Sequence, residues 1–158
     1  MAKSKFSPAR NILTSARVAE GRSIKFEVPL LTGADHSAQG LKTTMVSGAA
    51  ITAFKAVAVH SNGKIEMADA SDESEMPAIG IALNAAGAAD VDVEVLHIGT
   101  FRDDTFNFTA GNRLYIDTSG GLTATAPDAS GNFVQCIGVA LNADVVFINP
   151  AMTLVEVA

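Results

Sequence analysis

Cysteine, tryptophan and tyrosine are almost missing from this chain: one Cys, no Trp and one Tyr in 158 residues. A lone thiol at Cys136 excludes an intrachain disulfide and any cysteine-based metal cluster. Within Val134-Gln135-Cys136-Ile137 it reads as a small buried apolar residue rather than a reactive nucleophile. Charged residues are only 18% of the chain, sparse for a solvated monomer and favourable to subunit contact. No apolar run approaches the roughly 18 residues that a membrane helix needs, so no membrane partner is expected. The basic residues near the N-terminus have no apolar stretch behind them, so no secretory signal is expected either. Sustained helical periodicity is absent too.

What remains is rich in Ala, Val, Ile, Gly and Thr, the composition of β-structure built from small and β-branched side chains. Its organising feature is a near repeat. Ile79-Gly80-Ile81-Ala82-Leu83-Asn84-Ala85 returns 58 positions later as Ile137-Gly138-Val139-Ala140-Leu141-Asn142-Ala143. Upstream, Val57 to Ile65 lies over Leu114 to Leu122 at an offset of 57. A hairpin and a strand repeated in the same order predict internal duplication. Expected strands are Leu41–Val46, Ala56–Val59, Ile65–Met67, Ile79–Leu83, Val91–Thr100, Leu114–Ile116, Leu122–Thr125, Phe133–Leu141 and Val145–Ile148, with a short tail at Leu154–Val157. Asn62-Gly63 is suited to a type I′ turn. Gly80 and Gly138, in mid-strand, predict a bulge or a close backbone approach.

The fold class expected is therefore all-β: an internally duplicated β-sandwich or β-barrel body with an extended N-terminal arm. Residues 1–25 form the arm. Residues 26–158 form the body, with related halves at about 50–100 and 108–150, and Ile24–Val28 alternates as a half-buried strand. Within the repeat, strict alternation predicts that Ile79, Ile81, Leu83, Ile137, Val139 and Leu141 share one buried face.

Charge is unevenly placed. The net charge is −6, yet residues 1–25 hold Lys3, Lys5, Arg10, Arg17, Arg22 and Lys25 against Glu20 alone. A basic arm on an acidic body predicts docking onto a negative surface. With only Phe6 and Phe26 beside those charges, direct nucleic-acid binding is not expected, and a protein contact is the better reading.

A catalytic constellation is missing. His36 falls in a polar loop, His60 at a hairpin tip and His97 near a strand end, and no pair has metal-ligand spacing on one element. The acidic stretch Asp69, Asp72, Glu73 and Glu75 has the ligands for a hard cation but not the ordered spacing of a calcium loop, so it reads as a solvated loop. Asp103-Asp104 reads as a surface turn whose carboxylates point apart. Gly120-Gly121 opens a strand rather than a helix, which excludes a helix-capped phosphate site. No enzyme activity, cofactor or metal is expected.

Leu114-Tyr115, the run Gly121 to Pro127, Ser130-Gly131-Asn132 and Val134 to Leu141 together resemble a segment of tailed-bacteriophage virion proteins. Phe147-Ile148-Asn149-Pro150 with Val155-Glu156-Val157 is similar as well. The resemblance spans about residues 50–158 and points to capsid decoration (cement) or head-fibre proteins. It implies a β-rich virion protein, commonly a homotrimer, that sits on the outer capsid surface and clamps neighbouring major capsid subunits. The arm residues Lys3, Lys5, Arg10, Arg17, Arg22 and Lys25 would then be the capsid contacts. A tail fibre, spike or baseplate adaptor is the alternative; a sugar-binding tip would expose aromatic rings, and Phe101, Phe106 and Phe108 are nearly the only ones available.

Overall fold

The structure, a computed structural model, describes residues 33–158. The basic arm residues and the expected strand Ile24–Val28 lie outside the described residues. Eleven strands follow: β1 (Ala38–Val46), β2 (Ala56–Val59), β3 (Ile65–Met67), β4 (Ala78–Ala82), β5 (Asp92–Arg102), β6 (Arg113–Ile116), β7 (Leu122–Thr123), β8 (Phe133–Val134), β9 (Cys136–Ala140), β10 (Val145–Ile148) and β11 (Val155–Glu156). The expected all-β class is what is found. Among the described residues no helix is long and apolar enough to cross a membrane.

Nine strands form one antiparallel sheet in the order β3-β2-β4-β5-β10-β9-β6-β7, with β1 also on β5. The alternation of Val93 and Val95 with Asp92 and Glu94 makes β5 a strand with one apolar face, and its length makes it the spine. One edge of β5 carries β1 from Asp92 to Phe101. Its other edge carries β4 at Val95 and Leu96, then β10 from Gly99 to Arg102. The sheet curls until its ends meet: Ala56 N–H donates to the Gly120 carbonyl at 2.7 Å and Ala70 N–H to that of Asp117 at 3.2 Å. Curling is how a sheet covers its own apolar face.

Inside the curl lies the main core, built from Ala56, Ala58, Ala78, Ile81 and Leu96 on one side and Leu114, Ile116, Ile137, Ala140 and Val146 on the other. A second cluster of Ile51, Val57, Ile65, Ala82, Val93 and Val95 packs on the opposite face of β2, β4 and β5. Fully burying one such Ile or Leu contributes on the order of 1.5–3 kcal/mol.

Both mid-strand glycines behave as the sequence predicts. The β2–β4 register runs Val57↔Gly80 then Ala58↔Ala78, skipping Ile79. The β6–β9 register runs Leu114↔Gly138 then Tyr115↔Cys136, skipping Ile137. A Cβ on Gly80 would collide with the Leu96 carbonyl, and one on Gly138 with that of Phe147.

Those skips overturn the expectation of six side chains on one face. An extra residue resets the alternation, so that Ala78 and Ile81, three apart, share the main core, as do Ile137 and Ala140. Ile79 packs instead against the second cluster. Ile81 and Ile137 are fully buried, Leu83 packs on the main core, Val139 is half-buried and Leu141 is 40% exposed.

Other differences are local. β5 runs two residues past the expected strand, through Phe101 and Arg102. The single strand expected over Phe133–Leu141 breaks at Gln135 into β8, which pairs with β11, and β9. In the first hairpin Gly63 has φ +77° but Asn62 has no positive φ. The turn is therefore not type I′; the Asn62 carboxamide oxygen accepts from Lys64 N–H at 2.9 Å instead. Cys136 is half-buried rather than buried.

Candidate functional site

The described residues open on a tight reversal at residues 34–37. Ser37 N–H donates to the Ala34 carbonyl at 3.1 Å, and Arg102 N–H to the Ser37 carbonyl at 2.9 Å, fixing the turn to the end of β5. Asp35 Oδ1 accepts from His36 N–H at 2.9 Å and from Asp104 N–H at 2.8 Å. The Asp104 amide, helped by the nearby His36 and Arg102, holds the Asp35 carboxyl below its ordinary value despite some desolvation.

His36 takes a left-handed backbone, φ +58°, a conformation that costs a non-glycine residue about 1–2 kcal/mol and persists where contacts over-determine it. Its ring stacks on Phe54 at 4.1 Å and 10°. Phe54 stacks on Phe101 at 5.6 Å, and Phe106 and Phe108 continue the series into the core. Of the aromatic residues that a sugar-binding tip would present, Phe101 is fully buried, and Phe106 and Phe108 are half-buried against the main core.

Charge gathers around this turn. Arg102 Nε donates to Asp104 Oδ1 at 2.6 Å, and its Nη2 lies 4.0 Å from Asp144 Oδ2. The Asp104 hydrogen bond pushes the guanidinium pKa still higher. The expected surface turn at Asp103-Asp104 is half right. Asp104 is exposed, but Asp103 is only 7% exposed, because Thr105 N–H and its hydroxyl both donate to Asp103 Oδ1, at 2.8 and 2.6 Å.

The acidic loop divides its carboxylates. Asp69 Oδ1 accepts from Ser71, and Asp72 Oδ1 from Ser74, each through N–H and hydroxyl. The Ser74 bonds hold Asp72 below its ordinary pKa. Glu75 alone turns toward His60 and Glu66, and desolvation, with Asp72 and Asp69 nearby, raises its pKa. His97, expected at a strand end, lies inside β5 and bonds to Thr43 and Ile79.

Two features are absent from the sequence reading. Gln135 is fully buried, and its carboxamide bonds to Ala78 and Ala151. The second is a surface: Leu41 and Ile98, 59% and 45% exposed, face each other in the β1–β5 register. Leu41 falls in an expected strand, but nothing in the sequence marks β1 as an edge.

A family model described as phage cement protein matches residues 35–145, from the turn before β1 through the start of β10. No curated protein matches the chain. The match covers more than two-thirds of the sequence and takes in β1 through β9, so the chain belongs to the phage cement protein family, structural proteins associated with the phage capsid.

Proposed function

We propose that this protein decorates the outside of the capsid lattice, acts as a homotrimer, and braces neighbouring copies of the major capsid protein through its N-terminal arm and β-body. The observation that carries this reading is the family match over the body. The firmly seated turn at residues 34–37 supports it, because an arm transmits force to a body only if its root is fixed. The opposite charges of arm and body also support it: Lys3, Lys5, Arg10, Arg17, Arg22 and Lys25 precede a body with a large excess of acid. Contacts that are individually modest gain through effective concentration when one oligomer engages several lattice positions. No catalytic role is assigned.

The two halves are read as copies of one ancestral unit. Support comes from the near-identical heptads, from the register skips at Ile79 and Ile137, and from the matching strand orders β3-β2-β4-β5 and β7-β6-β9-β10.

The test is removal of residues 1–25, followed by mixing with undecorated mature capsids. Capsid occupancy is expected to fall to background while the β-sheet circular dichroism and the oligomer mass, that of three chains, are unchanged. Unchanged occupancy would reject the arm as the clamp, and a monomeric mass for the intact chain would reject the trimer.

A further inference from the structure

We propose that the open edge of β1 pairs with β1 of a second copy of this chain, antiparallel and across a twofold axis at Leu41. Among the described residues β1 pairs with β5 alone, so one side of a nine-residue strand without proline has no neighbour. Arg102 N–H donates to the Ser37 carbonyl just before β1, and Ser47 N–H to the Val91 carbonyl just after it, both at 2.9 Å. The odd-numbered residues between them therefore direct their main-chain groups to β5, and Ala38, Gly40, Lys42, Thr44 and Val46 direct theirs outward. Such a row is a template for another strand.

Charge and apolar surface both favour a second β1 as that strand. Lys42 is the one charge on β1. With Leu41 on the axis, Lys42 of each copy stands opposite Gly40 of the other, where no side chain crowds it, and keeps its own partner Glu94 at 3.4 Å. An axis at Lys42 would set like charges face to face. Leu41 then meets Leu41, beside the exposed Ile98 of each copy, and the two apolar pairs leave water together.

The chain's own residues 24–28 fit this edge less well. In a hairpin turning at 34–37, any register that lays Ile24, Phe26 and Val28 on the Leu41 face sets Pro29 opposite an outward-facing β1 residue. Proline has no N–H to give there.

A twofold contact is self-complementary and cannot close a trimer, so it joins one trimer to the next on the shell. That placement rests on the capsid reading; the pairing itself does not. A single strand pair is a small contact beside the roughly 1,200–2,000 Å² of a stable interface. It is therefore weak in dilute solution and gains from effective concentration where oligomers are held side by side.

The experiment is disulfide trapping in the full-length chain with C136S as background, so that an introduced thiol is the only one. L41C and T43C are oxidised as free protein at rising concentration, and also on mature capsids, then read on non-reducing denaturing gels. Leu41 faces its own copy as a non-hydrogen-bonded pair, whose Cα separation of about 4.5 Å suits a disulfide. Thr43 is exposed on the same face but stands opposite Gln39 of the second copy. L41C should give a two-chain band that grows with concentration, and on capsids should link at least about tenfold faster than in free protein of equal concentration. T43C should stay single-chain. No two-chain band from free L41C at any concentration, or equal linking in T43C, overturns the pairing. Linking that is no faster on decorated capsids overturns the placement between trimers. Capsid occupancy by L41C, measured alongside, separates a failure of the capsid reading from a failure of this one.

Discussion

His97 Nδ1 lies 3.0 Å from the carbonyl oxygen of Ile79, and each residue is one that its own strand pairing skips. Ile79 is passed over between β2 and β4, and His97 between β1 and β5, where Leu41↔Ile98 is followed by Lys42↔Leu96. A bulge leaves backbone groups without ladder partners, and here one bulge supplies the donor for the next. Because a carbonyl only accepts, Nδ1 carries the proton. In the neutral ring Nε2 then accepts from the Thr43 hydroxyl at 2.7 Å.

From this follows the first prediction. H97A leaves the Ile79 carbonyl and the Thr43 hydroxyl without their partner, and should lower unfolding stability by about 1–3 kcal/mol. T43V removes only the outer bond and should cost about 1 kcal/mol or less. Urea midpoints measure both, and equal losses in the two variants would show that the Ile79 contact contributes nothing.

A second prediction concerns Gln135. Its Oε1 accepts from Ala78 N–H at 2.8 Å, and its Nε2 donates to the carbonyls of Ala78 at 2.8 Å and Ala151 at 2.7 Å. The side chain thus stands in for a strand neighbour of Ala78, while its own backbone marks the break between β8 and β9. Q135L abandons the buried N–H and carbonyl of Ala78 and the half-buried carbonyl of Ala151, and should cost roughly 3 kcal/mol or more, from about 1–3 kcal/mol per stranded group. Q135E keeps the shape but loses both donors, and should be at least as destabilising near neutral pH, where it also buries a charge. A thermal midpoint for Q135E equal to that of the parent would refute the role given to the carboxamide.

Period-two alternation made β5 legible from Val91-Asp92-Val93-Glu94-Val95, since Val93 and Val95 are buried and Asp92 and Glu94 are wet. Gly80 and Gly138 were legible because a side chain in mid-strand would strike the next backbone. The consequence of that crowding was not. A bulge changes which neighbour each later residue meets, and period counting runs on as though no residue had been inserted; Ile79 and Leu141 were misplaced for that reason. Gln135 escaped for another: its carboxamide is satisfied by Ala78, 57 positions away across the curl, which composition does not mark, while Asp103 was missed because an Asp followed two residues on by Thr105 reads as an ordinary exposed turn. His36 read as a loop histidine because its neighbours Phe54 and Asp103 arrive from elements 18 and 67 positions away.

Asp117 gives the third prediction, a dependence on pH. Burial pushes its carboxyl pKa up, but hydrogen bonds from the Ser119 hydroxyl, Ser119 N–H and Gly121 N–H, with Lys55 nearby, bring it below the ordinary value of 3.8. Those bonds shape the β6–β7 turn whose Asp117 and Gly120 carbonyls receive Ala70 and Ala56 from the other half, so the charge helps close the sheet. With the folded pKa below the unfolded one, the unfolded chain binds more protons between the two values, and stability rises with pH across that interval. The contribution is complete above the unfolded pKa and is lost as pH falls through the folded one. D117N retains an acceptor but does not titrate there. From about pH 5 to about pH 2 the parent protein should therefore lose stability more steeply than D117N, and the gap between their urea midpoints should narrow. Asp35 and Asp72, also lowered, titrate in both proteins and drop out of the comparison. Parallel stability curves would mean that the Asp117 charge has no part in holding the turn.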